Sequence, residues 1–139
     1  MMMYNNDIMQ TTDRSFMLKP STTQDGGVGV FAILDIPKDT FLAVKPRGEL
    51  VGIDVKEEDI PKELLTYCIA KEGGIWHCPP EFNHMHMVWF LNHSDQPNAE
   101  KREDGYFSIV DIKAGDEILI DYNTLNEPED KKENFYIRD

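Results

Sequence analysis

The sequence predicts a mostly β or α+β domain made of several short strands in small sheets. Two observations indicate this fold class: short apolar runs rich in β-branched and aromatic residues recur between Gly- and Pro-containing turns, and only one segment has a clear helical pattern. The 139 residues, 40% of them hydrophobic, suffice for one core. We therefore expect a single domain over residues 15–139, after a frayed, Met-rich segment over residues 1–14.

Four short strands are predicted in the first part of the chain. The run "SFMLKPS" is a strand that Pro20 ends, and "GVGVFAIL" is a strand that follows a polar loop with glycines. The turn "DIPKDT" leads into the strand "FLAV", and Pro46-Arg47-Gly48 separates it from the short strand "ELVGI".

One helix is predicted, over residues 59–72. Asp59 can cap its start, Pro61 suits its first turn, and Gly73-Gly74 can end it. Apolar residues recur at four-residue spacing, namely Ile60, Leu64 and Cys68. Residues 75–88 show no clean period, so we interpret them as irregular, with room for one short helical turn.

The last part of the chain predicts two strands and an acidic tail. "YFSIV" and "EILIDY" are the strands, and "DIKAGD" joins them, with Gly115 suited to a tight turn. The segments "AILDIPKDTFL" and "SIVDIKAGDEIL" echo each other, which indicates two similar strand-turn-strand units.

Charge and cysteine content restrict the function classes. A formal net charge of -12 without a Lys/Arg cluster argues against nucleic-acid binding and favours a basic partner, although an acidic surface also serves solubility alone. Two cysteines do not make the disulfide framework of a small secreted domain. No apolar run approaches the roughly 20 residues of a membrane span, and the N-terminus has no signal-peptide pattern. We expect a soluble, intracellular protein that binds no membrane, in the nucleus or the cytoplasm.

Three segments carry groups suited to binding and catalysis. The glycines of Gly27-Val28-Gly29 allow a ligand to approach the backbone, although such a pair is more often simply a turn. In "WFLNHSDQPN" an apolar run leads into short hydrogen-bonding side chains, of which Asn92 and His93 could equally cap a short helix. Tyr122 ends the strand "EILIDY", where a tyrosine is usually half-buried. Each segment alone is a weak indication.

The order and the sequences of the three segments together are more specific than any one of them. "GVGVFA", "FLNHSDQPN" and "GDEILIDY" resemble the SET-domain protein lysine methyltransferases, in which a G-x-G loop, an N-H-S-x-x-P-N segment and an E-L-x-x-D-Y strand follow in that order. The resemblance extends from about Phe16 to Tyr122. It implies a β-clip-like SET fold in which the N-H-S-x-x-P-N segment crosses the C-terminal strand in a pseudoknot-like arrangement. Residues 53–88 would be a variable insert and residues 123–139 a C-terminal tail.

The resemblance also implies an activity. The cofactor would be S-adenosyl-L-methionine, and the residues contacting it would be Gly27, Val28, Gly29, Asn92, His93 and Tyr122. Tyr122 matches the family's catalytic tyrosine. The reaction would be methyl transfer to the side-chain amine of lysine in a basic protein or peptide, of which a histone tail is one candidate.

The substrate channel is predicted less directly. Phe135 and Tyr136 could close it, because the chain has no cysteine after Cys78 and so lacks the Cys-rich, zinc-binding segment that closes it in many relatives; alternatively, the tail packs elsewhere or is disordered. Ile120, two residues before the tyrosine, supplies no hydroxyl, which favours room for higher methylation. A domain this small could also form a homodimer to complete its peptide groove.

Several features keep other interpretations open. Pro46 replaces a tyrosine that many relatives place in the active-site wall, which favours an inactive SET-fold module that binds a basic peptide or the cofactor without turnover. Trp89 replaces a frequent arginine and affects local packing. A cluster of zinc-type donors matches no standard zinc motif, so we expect no metal. Its members are His77, Cys78, His84 and His86. An acidic interaction domain with accidental motifs ranks last.

Overall fold

The computed structural model of the chain describes residues 9–23, 26–46, 51–103 and 105–137. Ten short strands in four small sheets form most of the regular structure of these residues, and their helical segments are all short 3-10 turns. The mostly β architecture predicted from the sequence is confirmed. The strands are β1 (Phe16–Pro20), β2 (Val28–Ala32), β3 (Phe41–Leu42), β4 (Ile53–Lys56), β5 (Ile69–Ala70), β6 (Ile75–Cys78), β7 (Asn92–His93), β8 (Ala99–Arg102), β9 (Gly105–Ser108) and β10 (Leu119–Ile120). The 3-10 turns are Glu57–Asp59, Lys62–Tyr67, Glu72–Gly74, Met87–Phe90, Tyr122–Leu125, Glu129–Lys131 and Asn134–Tyr136.

The hairpin of β1 and β2 positions the glycine loop. The two strands are antiparallel, from the pair Phe16 and Ala32 to the pair Pro20 and Val28. The loop between them closes where the Ser21 amide donates to the Gly27 carbonyl over 2.9 Å. Because β2 is buried from its second residue onward, the glycines lie at the start of a strand that is anchored in the core.

A second sheet contains β3, β9 and β8, in that order. Phe41 of β3 stands opposite Phe107 of β9, and their rings meet edge to face with centroids 5.5 Å apart. Residues 1–8 of the segment predicted as frayed lie outside the described residues. Met9 and Thr11, which follow, hydrogen-bond to the backbone of Phe41 over 2.9 Å each.

The two echoing segments of the sequence lie side by side. Ile36 and Ile112 occupy the same place in the two segments, and their backbones exchange two hydrogen bonds of 2.8 Å. Both side chains are buried in the main core. The similarity of the two segments therefore reflects two strand-turn units that pair with each other.

The polar segment crosses the C-terminal strand as the resemblance implied. β7 and β10 pair in parallel, and the amides of Ser94 and Asn98 donate to carbonyls of β10. The Asn98 side chain also donates to the Glu117 carbonyl and accepts from the Leu119 amide, both over 2.8 Å. Short polar side chains thus hydrogen-bond to backbone groups at a crossing that is too irregular for backbone-to-backbone hydrogen bonds alone.

The main hydrophobic core lies beneath this crossing. It contains residues of the hairpin, the second sheet, β10 and the segment just before β7, together with their neighbours, namely Phe16, Val30, Ala32, Ile36, Leu42, Val44, Leu91, Ala99, Tyr106, Ile112, Ile118 and Ile120. Tyr122 packs against its edge. The site is therefore built on the most buried part of the molecule.

The insert has its own small sheet and core. β4, β6 and β5 pair antiparallel, with β6 in the middle. Ile60, Cys68 and Cys78 form a separate buried cluster against one face. Residues 75–78, interpreted as irregular from the sequence, are thus a central strand of this sheet.

The helix predicted over residues 59–72 is absent. The segment contains a 3-10 turn over Lys62–Tyr67 and then strand β5. Pro61 adopts ψ 137° instead of a helical value, and Ile60 before it is extended, as a residue preceding proline prefers. Three apolar residues at four-residue spacing stabilise a helix too weakly to compete with the pairing of β5 and β6. Cys68 is in an extended conformation and packs in the small core of the insert.

Within the described ranges, no helix has the length and apolarity that crossing a membrane requires.

We expect Asn98→Ala to destabilise the protein by about 1–3 kcal/mol, because it leaves the Glu117 carbonyl and the Leu119 amide without their partners at the crossing. Gln96→Ala, two residues away on the exposed surface, should change the free energy of unfolding by less than about 0.5 kcal/mol. Urea denaturation of both variants checks this. Equal effects of the two substitutions would show that the side chain of Asn98 does not support the crossing.

Candidate active site

Asn92 connects the glycine loop to the C-terminal part of the site. Its Nδ2 donates to the Val28 carbonyl over 2.9 Å and to Glu117 Oε2 over 3.0 Å. Because both partners are acceptors, the amide nitrogen faces them and Oδ1 points away from both. No described residue donates to Oδ1, and Asn92 is partly exposed. An acceptor is therefore available to a ligand at this position.

The two glycines of the loop differ in what surrounds them. A Cβ on Gly29 would lie 2.2 Å from Glu117 Oε2, so a larger residue there would displace the carboxylate. A Cβ on Gly27 would meet nothing within 4 Å. The Val28 side chain between them is 44% exposed. The space beside Gly27 is thus open, as close approach of a ligand to the backbone requires.

His93 joins the polar segment to the predicted catalytic tyrosine. Its ring is buried, and Nδ1 accepts from the Tyr122 amide over 3.0 Å. The other nitrogen, Nε2, therefore carries a proton and donates it to Asp95 Oδ1 over 2.9 Å. The ring centroids of His93 and Tyr122 are 5.3 Å apart. This contact and the Asn92–Val28 bond make one connected chain from the glycine loop to Tyr122.

The Tyr122 phenol is held as a hydrogen-bond donor. Its hydroxyl donates to the Leu91 carbonyl over 2.7 Å. Burial raises the pKa of Tyr122, and the negative charges of Glu133, Glu127 and Glu117 raise it further. The phenol therefore stays protonated at neutral pH, so it can orient a reacting group but does not act as a strong base.

The C-terminal tail returns to the site. The Phe135 ring lies 6.1 Å from the Tyr122 ring, and the Tyr136 ring lies 5.2 Å from it. Tyr136 is buried and its hydroxyl donates to Glu127, whereas Phe135 remains 39% exposed. The rings of the tail therefore pack against Tyr122, and their closing of a substrate channel stays a prediction.

Glu127 links the tail to the insert. Its Oε2 accepts from the Ala70 amide of β5 over 2.9 Å, while Oε1 accepts from Tyr136. Between insert and tail lies a cavity of about 950 Å³. The side chains of Leu91, Ile120 and Tyr122 line it from the core side. Ile120 and Tyr136, both predicted at the substrate channel, thus reach the same cavity as Tyr122.

The sequence comparison identifies the domain. A family model of the SET domain matches residues 27–123. This chain belongs to the SET-domain family. Membership supports a methyltransferase activity.

This SET domain is similar to solved structures. A Plasmodium falciparum protein assigned as a histone methyltransferase is 24% identical, with the match covering 78% of this chain and 92% of that chain at a TM-score of 0.48. ctPRC2, in an autoinhibited conformation bound to S-adenosylmethionine, is 21% identical, with the match covering 82% of this chain and 16% of that chain at a TM-score of 0.55. Among curated proteins, none matches the sequence.

The departures from the family pattern have local consequences in this SET domain. Trp89 donates from Nε1 to the Val51 carbonyl over 3.2 Å, and its ring stacks near His77 at 5.7 Å, so it attaches the core to the insert. Pro46 is half-buried, and Lys45 beside it lines the cavity. Residues 47–50, which follow, lie outside the described residues.

Glu117 is the site residue that sequence reasoning missed. It is 5% exposed and accepts four hydrogen bonds, from Ser21, Asn92 and the amide and hydroxyl of Thr22. Burial alone would raise the pKa of Glu117, but the hydrogen bonds from Thr22, Asn92 and Ser21 outweigh it and hold the pKa below its ordinary value. The signal was present in "GDEILIDY", where an acid stands at the start of a buried strand.

The described residues contain no group of three or more His, Cys, Asp or Glu side chains arranged to hold a metal. His77 hydrogen-bonds to Asp54 over 2.9 Å, and Cys78 is buried in the core of the insert. The expectation of no metal stays a prediction.

We expect Gly29→Ala to destabilise this SET domain by about 1–3 kcal/mol, because the new methyl group overlaps the Glu117 carboxylate. Gly27→Ala meets no neighbour and should change the free energy of unfolding by less than about 0.5 kcal/mol. Thermal or urea unfolding of the two variants checks the difference. If both glycines tolerated alanine equally, the close approach of Gly29 to Glu117 would be wrong.

Glu117 should also make stability acid-sensitive. Because its folded pKa is depressed, its contribution is complete above the ordinary glutamate pKa of 4.5 and is lost as the pH falls through the lower folded value. We expect the difference in unfolding free energy between wild type and Glu117→Gln to shrink from about pH 6 to about pH 3. The other carboxylates are common to both proteins and cancel. A difference independent of pH in urea titrations would contradict the depressed pKa.

Proposed function

We propose that this chain transfers a methyl group from S-adenosyl-L-methionine to the side-chain amine of lysine in a basic protein, of which a histone is one candidate. The observation that carries the proposal is the position of Tyr122. On one side its backbone and ring contact His93, next to Asn92 and the glycine loop. On the other side its phenol reaches the cavity between insert and tail. A residue in this place can align two reactants that enter from different sides.

The cofactor side fits the chemistry of S-adenosyl-L-methionine. The free Oδ1 of Asn92 is an acceptor suited to an ammonium group, and the open backbone at Gly27 leaves room for a ligand. We assign cofactor binding to Gly27, Val28, Gly29, Asn92, His93 and Tyr122. When bound, the cofactor supplies an electrophilic methyl group on a sulfonium sulfur. The binding of S-adenosylmethionine in ctPRC2, which shares this fold, agrees with the assignment.

The residues of the chain would contribute alignment and desolvation. A lysine ammonium, with a pKa of about 10.4, must lose a proton before it can attack. The apolar walls formed by Leu91, Ile120 and Tyr106 disfavour the charged form and so lower the pKa of a bound amine. The protonated Tyr122 phenol then orients the reacting groups, and alignment supplies much of the rate. Phe135 and Tyr136 would close the channel over the tyrosine.

A basic substrate agrees with the charge of the chain. The formal net charge is -12, and the insert carries exposed acids, among them Glu57 and Glu58. The cavity wall itself carries both lysines and glutamates. We therefore attribute attraction of a basic partner to the outer surface, where it would act on the association rate and weaken with salt.

Labelled S-adenosyl-L-methionine, incubated with the protein and with core histones and other basic proteins, tests the proposal. We expect label on lysine, and a decrease in kcat of about a hundredfold or more in Tyr122→Phe with cofactor affinity retained. Tyr67→Phe, which removes a hydroxyl from the exposed rim of the cavity, is the matched control and should stay within about twofold of wild type. Transfer that survives in Tyr122→Phe would exclude Tyr122 as the catalytic residue.

A second candidate is a SET-fold module that binds without turnover. Pro46, in place of a tyrosine of the active-site wall, favours it. The same experiment separates the two candidates. Cofactor binding by calorimetry together with no labelled product on any substrate would support the module and contradict the enzyme.

A further inference from the structure

Glu117 is buried at the junction of three segments of the site. Oε1 accepts from the Thr22 amide over 2.7 Å and from the Thr22 hydroxyl over 2.6 Å. Oε2 accepts from the Ser21 hydroxyl over 2.7 Å and from Asn92 Nδ2 over 3.0 Å. The backbone of Gly29 leaves just enough room for the carboxylate, since a Cβ there would overlap it. One side chain thus holds the loop before the glycines, the glycine strand and the polar segment.

Each oxygen of Glu117 faces one donor that cannot become an acceptor. On Oε1 this donor is the Thr22 backbone amide, which can only donate. On Oε2 it is Asn92 Nδ2, which also donates to the Val28 carbonyl. If the Asn92 amide turned over, its oxygen would face two acceptors. Both positions must therefore be filled by acceptor oxygens, and a carboxylate provides two.

We propose that Glu117 is a positioning residue for the cofactor: its carboxylate fixes the Asn92 side-chain amide with Oδ1 turned toward the ligand side and anchors the Ser21–Thr23 loop beside the glycines. This inference rests on the proposed function, because it takes Asn92 as a cofactor-binding residue. The depressed pKa of Glu117 agrees with it, since the hydrogen bonds from Thr22, Asn92 and Ser21 favour the charged form of the carboxylate.

Glutamine has the same shape but cannot take this role. Whichever way its amide is turned, its NH₂ group meets either the Thr22 amide or Asn92 Nδ2. The first orientation loses the hydrogen bond from the Thr22 amide of the loop, and the second loses the hydrogen bond from Asn92. Aspartate keeps both acceptors but is shorter by one methylene, so it can restore part of the arrangement. A role in packing alone would predict the reverse order, with glutamine tolerated better than aspartate.

The experiment measures the dissociation constant of S-adenosyl-L-methionine, and kcat at saturating cofactor, for wild type and three variants. For Glu117→Gln we expect a rise in the dissociation constant of about tenfold or more with kcat within about twofold, because Glu117 acts through Asn92 and not on the reacting atoms. Glu117→Asp should bind more tightly than Glu117→Gln. Asp116→Asn, which alters the neighbouring exposed carboxylate that accepts from the Lys113 amide, is the matched control and should bind like wild type.

The outcomes separate this inference from the proposed function. Wild-type affinity in Glu117→Gln, or tighter binding by Glu117→Gln than by Glu117→Asp, overturns the positioning role while the methyl-transfer proposal stands. If wild type binds no cofactor, the proposed function fails. The positioning role is then tested by a measurement on the Asn92 side-chain amide that needs no ligand.

Amide hydrogen exchange in the wild-type protein tests the positioning role without a ligand and without a variant. It therefore applies if wild type binds no cofactor, and also if Glu117→Gln does not fold. Measured by nuclear magnetic resonance, the Asn92 NH₂ protons should exchange with water at least about tenfold more slowly than those of exposed Asn83, because two acceptors hold them. Exchange of the Asn92 protons as fast as in Asn83 overturns the positioning role.

Discussion

The parallel pairing of β7 with β10 is the constraint on which the site depends. In this register the two residues of β10 stand opposite Asn92 and His93. Shortly before β10, Glu117 reaches Asn92, and shortly after it, Tyr122 reaches His93. A shift of the register by one residue would turn every side chain of the strand to its other face and separate both contacts. The distance between glycine loop and phenol is therefore set by two very short strands.

The crossing explains why an apolar run leads directly into a dense group of polar residues. Leu91 is buried in the core and its carbonyl receives the Tyr122 phenol. After the two residues of β7 the chain leaves regular structure while still partly buried, so backbone groups at the crossing need partners that a ladder does not provide. The Asn98 side chain supplies two such partners, for the Glu117 carbonyl and the Leu119 amide of the facing segment. Asn92 and Glu117 connect the same segments on the proposed cofactor side, so we expect stability and ligand binding to be coupled there.

The order of the motifs predicted which segments meet, because the polar segment with Asn92 and His93 and the strand ending at Tyr122 have specific sequence patterns. The insert was harder to predict. Its apolar spacing suggested a helix, but Pro61 and pairing with β6 produce a 3-10 turn and a strand, and such pairing depends on residues distant in sequence. Glu117 was missed for a similar reason: its partners Ser21 and Thr22 lie far away in the chain, and nothing local indicates that they share one carboxylate.

Tyr122 lies between two environments that the proposed transfer reaction needs: a polar side with the Asn92 side-chain oxygen, and a cavity whose core side is apolar. A crystal structure of the protein grown with S-adenosyl-L-homocysteine tests this most directly. We predict the ligand between the glycine loop and Asn92, with its sulfur facing the Tyr122 hydroxyl and the cavity open on the opposite side. A ligand bound elsewhere, or a Tyr122 phenol that faces bulk solvent in the complex, would contradict it.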